Sequence, residues 1–176
     1  MKTLFLALLV LLGASPCVAA ETSWKEFSSA EGGFAALMPE EPTTTITRVF
    51  TRKGALDTHI TSSSDLELNE YLVSWTEYPQ DDIEQRATEE NFRRMRDALV
   101  AYKKGKVLSE TTFTLEGHPA RALVFETDDD RVTRVRFYHV GKRIYQVMTV
   151  TKNGRKYAED SERFLNSFRL LPGRVV

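Results

Sequence analysis

Four strand-patterned segments, 106–115, 120–127, 132–140 and 143–151, follow one another in the second half of the chain. Only short turn-forming stretches separate them: Glu116-Gly117-His118-Pro119, Asp128-Asp129-Asp130-Arg131 and Gly141-Lys142. Connections this short join antiparallel neighbours, because a parallel crossover needs a dozen residues or more. The chain therefore builds an antiparallel meander, and the remaining elements must pack against it.

Turn length also sets which residues face each other. A two-residue turn at Gly141-Lys142 places Tyr138 opposite Tyr145, Phe137 opposite Gln146, Arg136 opposite Val147 and Val135 opposite Met148. With Asp129-Asp130 and Gly117-His118 as the other turn centres, Val124 opposes Val135, Leu123 opposes Arg136 and Phe113 opposes Ala122. On this register Phe113, Ala122, Val124, Val135, Phe137 and Met148 form a core face beneath the long helix described next. The other face collects Glu110, Arg121, Arg134, Arg136, Tyr138 and Tyr145 around Leu123 and Phe125, either open to solvent or covered by the C-terminal helix.

That long helix spans about 82–104, with Ile83, Ala87, Phe92, Met95, Leu99 and Tyr102 on one half of the wheel and Arg86, Glu89, Arg93 and Arg96 on the other. Asp81 caps its start, Lys103 and Lys104 suit its last turn, and Gly105 ends it. A second amphipathic helix covers 155–168, and Leu170-Leu171 add a short strand. Nearer the N-terminus, strands at 24–27 and 34–38 flank Glu31-Gly32-Gly33, and a threonine-rich strand runs from Pro42 to Arg52. Residues 55–65 read as a loop or frayed strand, whereas 68–78 alternate clearly. The expected fold is α+β: an antiparallel sheet of about six to eight strands with two main helices, in one domain from residue 21 to 176.

Residues 1–20 have the layout of an export signal. Lys2 precedes an apolar run from Leu4 to Leu12, a break at Gly13 to Pro16, and Val18-Ala19-Ala20, which suits cleavage after Ala20. The apolar run is too short to be a permanent membrane anchor, so no stable membrane insertion is expected after cleavage. A lipidated Cys17 is the competing arrangement, but Ala14-Ser15-Pro16 is a poor lipobox. The expected location is periplasmic or extracellular. Cys17 is the only cysteine, so the mature chain has no thiol chemistry and no disulfide. A net charge of -1 with both signs interspersed argues against nucleic acid or anionic membrane as partner.

Arg121, Arg134 and Arg136 beside Tyr138 and Tyr145 are the candidate ligand-binding residues, since guanidinium forks backed by aromatic rings suit a carboxylate, a phosphate or a partner's acidic strip. The competing explanation is that these arginines solvate a surface and pair with Glu110. His59, His118 and His139 lack short ligand spacing, so neither metal nor cofactor is expected. Asp128-Asp129-Asp130 reads as a solvated turn rather than a calcium loop, and Asp81-Asp82 as helix caps. Arg93 and Arg94 pair with Glu89 and Glu90 one turn earlier. No GxSxG or SxxK motif marks a nucleophile, so no catalytic residue is assigned.

The turn and core positions follow a recognisable pattern: Trp24-x-x-Phe27, Glu31-Gly32-Gly33-Phe34, Met38-Pro39, Gly117-His118-Pro119-Ala120-Arg121, Gly141-x-Arg143-x-Tyr145 and Phe164-x-x-Ser167-Phe168. It resembles the PsbP-like and DcrB-like exported bacterial proteins. The resemblance implies an antiparallel sheet sandwiched with helices and an accessory or binding role. It carries no catalytic residues across. The resulting expectation is an exported, non-enzymatic module, monomeric or weakly self-associating, that binds an unknown protein or a small acidic ligand. A hydrolase-like enzyme with a scattered site is the alternative.

Overall fold

The computed structural model describes residues 22–51, 54–79 and 88–173. The expected export signal, its cleavage site, Cys17, the caps Asp81 and Asp82 and the first turns of the expected long helix lie outside these residues. The elements run β1 (Trp24–Ser29), β2 (Phe34–Pro39), β3 (Thr43–Thr51), β4 (Gly54–Ser64), β5 (Glu70–Glu77), α1 (Thr88–Lys103), β6 (Lys106–Leu115), β7 (His118–Glu126), β8 (Arg131–Val140), β9 (Arg143–Lys152), α2 (Arg155–Ser167) and β10 (Arg169–Leu170). Seven strands form an antiparallel sheet in the order β3-β4-β5-β9-β8-β7-β6, and a small antiparallel sheet has the order β1-β2-β10. This is the expected α+β architecture, with the four-strand meander intact.

Segment 55–65, read from sequence as a loop or frayed strand, is part of the 11-residue strand β4. Its serines and threonines give little local signal. Pairing on both sides, with β3 and β5, keeps the segment extended, and Thr58 bonds Thr76 across the ladder over 2.7 Å between hydroxyl oxygens.

The β8–β9 register is the expected one, with Tyr138 opposite Tyr145. The other two hairpins differ. Glu116 and Gly117 both take positive φ, 50° and 84°, so they form the two central residues of the turn and His118 enters β7. That displaces β6 by two positions: Phe113 opposes Ala120 rather than Ala122, and the faces are preserved.

The β7–β8 loop changes the faces themselves. Thr127 N–H bonds the Arg131 carbonyl, leaving three residues in the loop, with Asp130 left-handed at φ 59°. One residue beyond the expected two shifts the register by one, so Leu123 opposes Val135 and Ala122 opposes Arg136. Because side chains alternate with a period of two, the shift moves Arg121, Leu123 and Phe125 to the Val135 face, and Ala122 and Val124 to the Arg136 face.

Both faces of the central strands of the large sheet are buried. On one, Leu123, Phe125, Val135, Phe137, Met148 and Val150 pack against Phe92, Met95, Leu99 and Val100 of α1. On the other, Tyr71, Val73, Trp75, Tyr138, Tyr145 and Val147 pack against Phe34, Ala36 and Met38 of β2 and Phe164, Leu165 and Phe168 at the end of α2. Each fully buried large apolar side chain stabilises the fold by about 1.5–3 kcal/mol. The second face, with the tyrosines, is therefore core as well.

Candidate functional site

The five residues singled out from sequence do not share a face. Arg121 points to the α1 side, whereas Arg134, Arg136, Tyr138 and Tyr145 point to the side covered by α2 and the small sheet. The correction follows directly from the three-residue loop at 128–130.

Arg121 fastens α1 to the sheet edge. Its side chain is 9% exposed, with Nη1 donating to Glu110 Oε1 over 2.7 Å and Nη2 donating to Glu89 of α1. Arg96 of α1 binds the other oxygen of Glu110 over 2.9 Å, and the Arg121 guanidinium lies 5.6 Å from the Phe92 ring centroid. One carboxylate between two arginines, with a further one from the helix, makes a clamp. A cleft of about 550 Å3 opens beside it, lined by Glu110, Thr111, Thr112 and Arg121.

Arg136 does the same for α2. It donates to the Leu165 carbonyl over 3.1 Å, to Glu162 over 3.0 Å and to Asn166 over 2.8 Å. A cation on the last carbonyls of a helix satisfies groups with no intrahelical partner and matches the helix dipole. Arg134, on the same face two residues earlier, has a buried Nη1 with no hydrogen-bond partner. Burial lowers its pKa, with Glu162 opposing the shift.

Tyr138 stacks on Phe168 at 4.9 Å and meets Phe113 edge-on at 5.8 Å. Tyr145 donates to the Gly32 carbonyl over 2.7 Å. Burial raises the pKa of both phenols. Among the histidines, His139 Nδ1 bonds the Thr88 hydroxyl at the start of α1 over 3.0 Å, and His118 lines a small cleft with Val140 and Leu170. Asp128, Asp129 and Asp130 occupy the β7–β8 loop, where the Thr127 hydroxyl donates to Asp129 and lowers its pKa. Among the described residues there is no cluster of three or more histidine, cysteine or acidic side chains suited to a metal ion.

A run of exposed apolar groups on one strand lies elsewhere, on β3. This strand pairs only with β4, and every residue from Thr43 to Phe50 is exposed, with Ile46 at 61% and Phe50 at 82%. Pairing of β4 with β5 stops at Thr58 opposite Thr76, so residues 48–51 and 54–57 continue as a two-stranded arm. Arg48 and Asp57 face each other across the arm in a two-pronged contact of 2.9 and 3.3 Å, which raises the arginine pKa and lowers the aspartate pKa.

The root of the arm is built on stacked and hydrogen-bonded side chains. The His59 ring lies on the Trp75 indole at 3.9 Å and 11°, and the Arg143 guanidinium sits 4.6 Å from the same indole. Arg143 in turn donates to Glu77 over 3.0 Å and to the Glu31 carbonyl over 2.9 Å. The sequence did signal β3 as a strand, but not its exposure. The signal available was Ile46, Val49 and Phe50 placed without the alternation of a half-buried strand.

No family model and no curated protein sequence matches the chain. Among solved structures, it is similar to the solution structure of cyanobacterial PsbP (CyanoP) from Synechocystis sp. PCC 6803, at 13% identity and a TM-score of 0.58. The match covers 90% of this chain and 98% of that one. Among the described residues, two antiparallel sheets with two helices, matching that protein along nearly its whole length, make the fold of this chain PsbP-like.

Proposed function

We propose that this chain is an exported, non-enzymatic accessory module that works by protein–protein contact through the open strand β3. Residues 1–20 direct export and are removed after Ala20, leaving the domain in the periplasm or outside the cell. The observation that carries the reading is the exposure of β3. A strand of nine residues with an open edge offers unpaired backbone groups along its length, and Ile46 and Phe50 add exposed apolar side chains. The PsbP-like fold supports the accessory role by analogy of architecture alone.

The test places a photo-crosslinking residue at position 46 or, as control, at exposed position 155, in the full chain expressed in its own envelope. Crosslinked products from position 46 and none from 155 are expected. Equal products from both, or none from 46, would overturn the reading.

A second reading keeps a small acidic ligand at Arg134, because its Nη1 is shielded and unpartnered. Arg134→Gln would abolish binding of such a ligand and leave crosslinking at position 46 unchanged.

A further inference from the structure

The partner at β3 is named by the strand's own chemistry, on the reading that β3 is the contact surface. Sheet edges are ordinarily blunted by charge, a bulge or short length. At the opposite edge, β6 carries a bulge between Val107 and Ser109 and the ion-paired residues Lys106 and Glu110. In the small sheet β10 is only two residues long, and β1 carries Lys25 and Glu26. β3 has neither the bulge nor the short length. It is nine residues long and runs in unbroken register with β4, and its single charged residue, Arg48, is already paired with Asp57.

Its flanks are of opposite sign. Glu40 and Glu41 precede the strand and Arg52 and Lys53 follow it in the sequence. Two copies laid antiparallel bring the acidic end of each strand to the basic end of the other, whereas a parallel arrangement would set like against like. A two-fold axis normal to the sheet requires residues of the same face to meet. Centring it on Arg48 would oppose two guanidinium groups, which is destabilising. Centring it on Ile46 sets Ile46 against Ile46 of the second copy, Thr45 against Thr47 and Thr44 against Arg48, with no like charges opposed.

We infer that β3 pairs with β3 of a second copy of this chain, antiparallel and with the two-fold axis at Ile46. The two seven-stranded sheets join into one continuous sheet, and the base of each two-stranded arm, at Arg48 and Val49, gains Thr44 and Thr43 of its mate as a third strand. An isolated two-stranded ribbon is marginal in water, so the arm itself benefits from that pairing. The contact is isologous and closes on itself, which limits assembly to a dimer. A single strand pair lies at the low end of interface size, among weak and transient contacts.

The experiment is sedimentation of the purified mature protein over a concentration series, with two substitutions. Ile46→Lys sets two ammonium groups against each other and raises the midpoint concentration of the monomer–dimer transition by about tenfold or more, equivalent to about 1.4 kcal/mol. Glu41→Lys removes the end-to-end charge match and weakens the dimer in low salt while leaving it unchanged in high salt. Register is read by oxidation, because the mature chain has no cysteine of its own. Ile46→Cys forms a disulfide-linked dimer, since directly opposed strand residues lie within disulfide reach. Phe50→Cys stays monomeric under the same treatment, because eight positions separate the two thiols, about 26 Å.

A dimer that ignores Ile46→Lys, or that crosslinks equally through either cysteine, overturns the inference. If the purified protein is monomeric at 100 µM and position 46 still crosslinks to a different protein in the envelope, the second-copy partner is wrong and the contact surface survives. If neither occurs, both fail.

Discussion

The hydroxyl of Tyr145 donates to the carbonyl of Gly32 over 2.7 Å, joining the centre of the large sheet to the β1–β2 turn, 113 residues away in sequence. Through this bond and the packing around it, the small sheet closes over the tyrosine face. Tyr145→Phe leaves that buried carbonyl without its donor and costs about 1–3 kcal/mol of stability, read from the urea midpoint. No change in the midpoint would mean that the turn is held by other contacts.

The same turn fixes what residue 32 can be. A Cβ at Gly32 would stand 2.7 Å from a carbon of Phe34 and 2.8 Å from the indole nitrogen of Trp75. Both rings are packed in the core and have little room to give way. Gly32→Ala is therefore expected to cost about 1–3 kcal/mol through overpacking, measured by chemical denaturation. Gly117→Ala, where a Cβ meets nothing within 4 Å, tests backbone conformation alone, at φ 84°. It is expected to cost about 1–2 kcal/mol.

Asp65 is the organising residue of the β4–β5 connection. It accepts from the backbone N–H of Glu67 over 2.8 Å and of Asn69 over 2.9 Å, from the Asn69 side chain over 2.8 Å and from the Tyr71 hydroxyl over 3.2 Å. The residue is 8% exposed, so these donors have little water to turn to. Asp65→Ala should cost about 3 kcal/mol and accelerate amide exchange between β4 and β5. Exchange as slow as in the wild type would refute its organising role.

Stability should fall on acidification because of His139. Burial holds its pKa below the ordinary histidine value, the backbone bond at Gly141 opposes this, and the charge of His118 adds to it. With the folded pKa depressed, the unfolded chain binds the proton first. The stabilising contribution is therefore complete above the unfolded value of about 6.5 and is lost as pH falls below it towards the folded pKa. His139→Gln should flatten the urea midpoint between about pH 7 and pH 5; an unchanged slope would assign that pH dependence to other groups.

The two arginine clamps separate fold from contact. Arg121→Ala frees Glu110 and Glu89 and loosens α1, at a cost of about 2 kcal/mol in thermal or urea unfolding. Crosslinking at position 46 should be unaffected, since β3 lies at the opposite edge of the sheet from β6 and β7. Loss of crosslinking in a folded Arg121→Ala protein would move the contact surface to the α1 side.

Much of this architecture was legible in local chemistry. Gly141-Lys142 determined the β8–β9 register because a two-residue turn admits one pairing, and the 3.6-residue pattern placed α2 within one residue of its end. The strand β4 was not legible, since serine and threonine become extended there only between two partners. The candidate site was harder still. Arg121, Arg134 and Arg136 were expected to bind a ligand on one shared face, but two of them hold helices whose position no local pattern specifies.

By itself, then, the sequence determined the kinds of element, their order and the antiparallel meander, all of which depend on neighbours a few residues apart. The tertiary structure decided which face each arginine occupies, that the tyrosine face is core, and that β3 is left open. One extra residue in the 128–130 loop reverses the faces of a strand, and burial of the second face depends on β2 and α2, contributed from opposite ends of the chain.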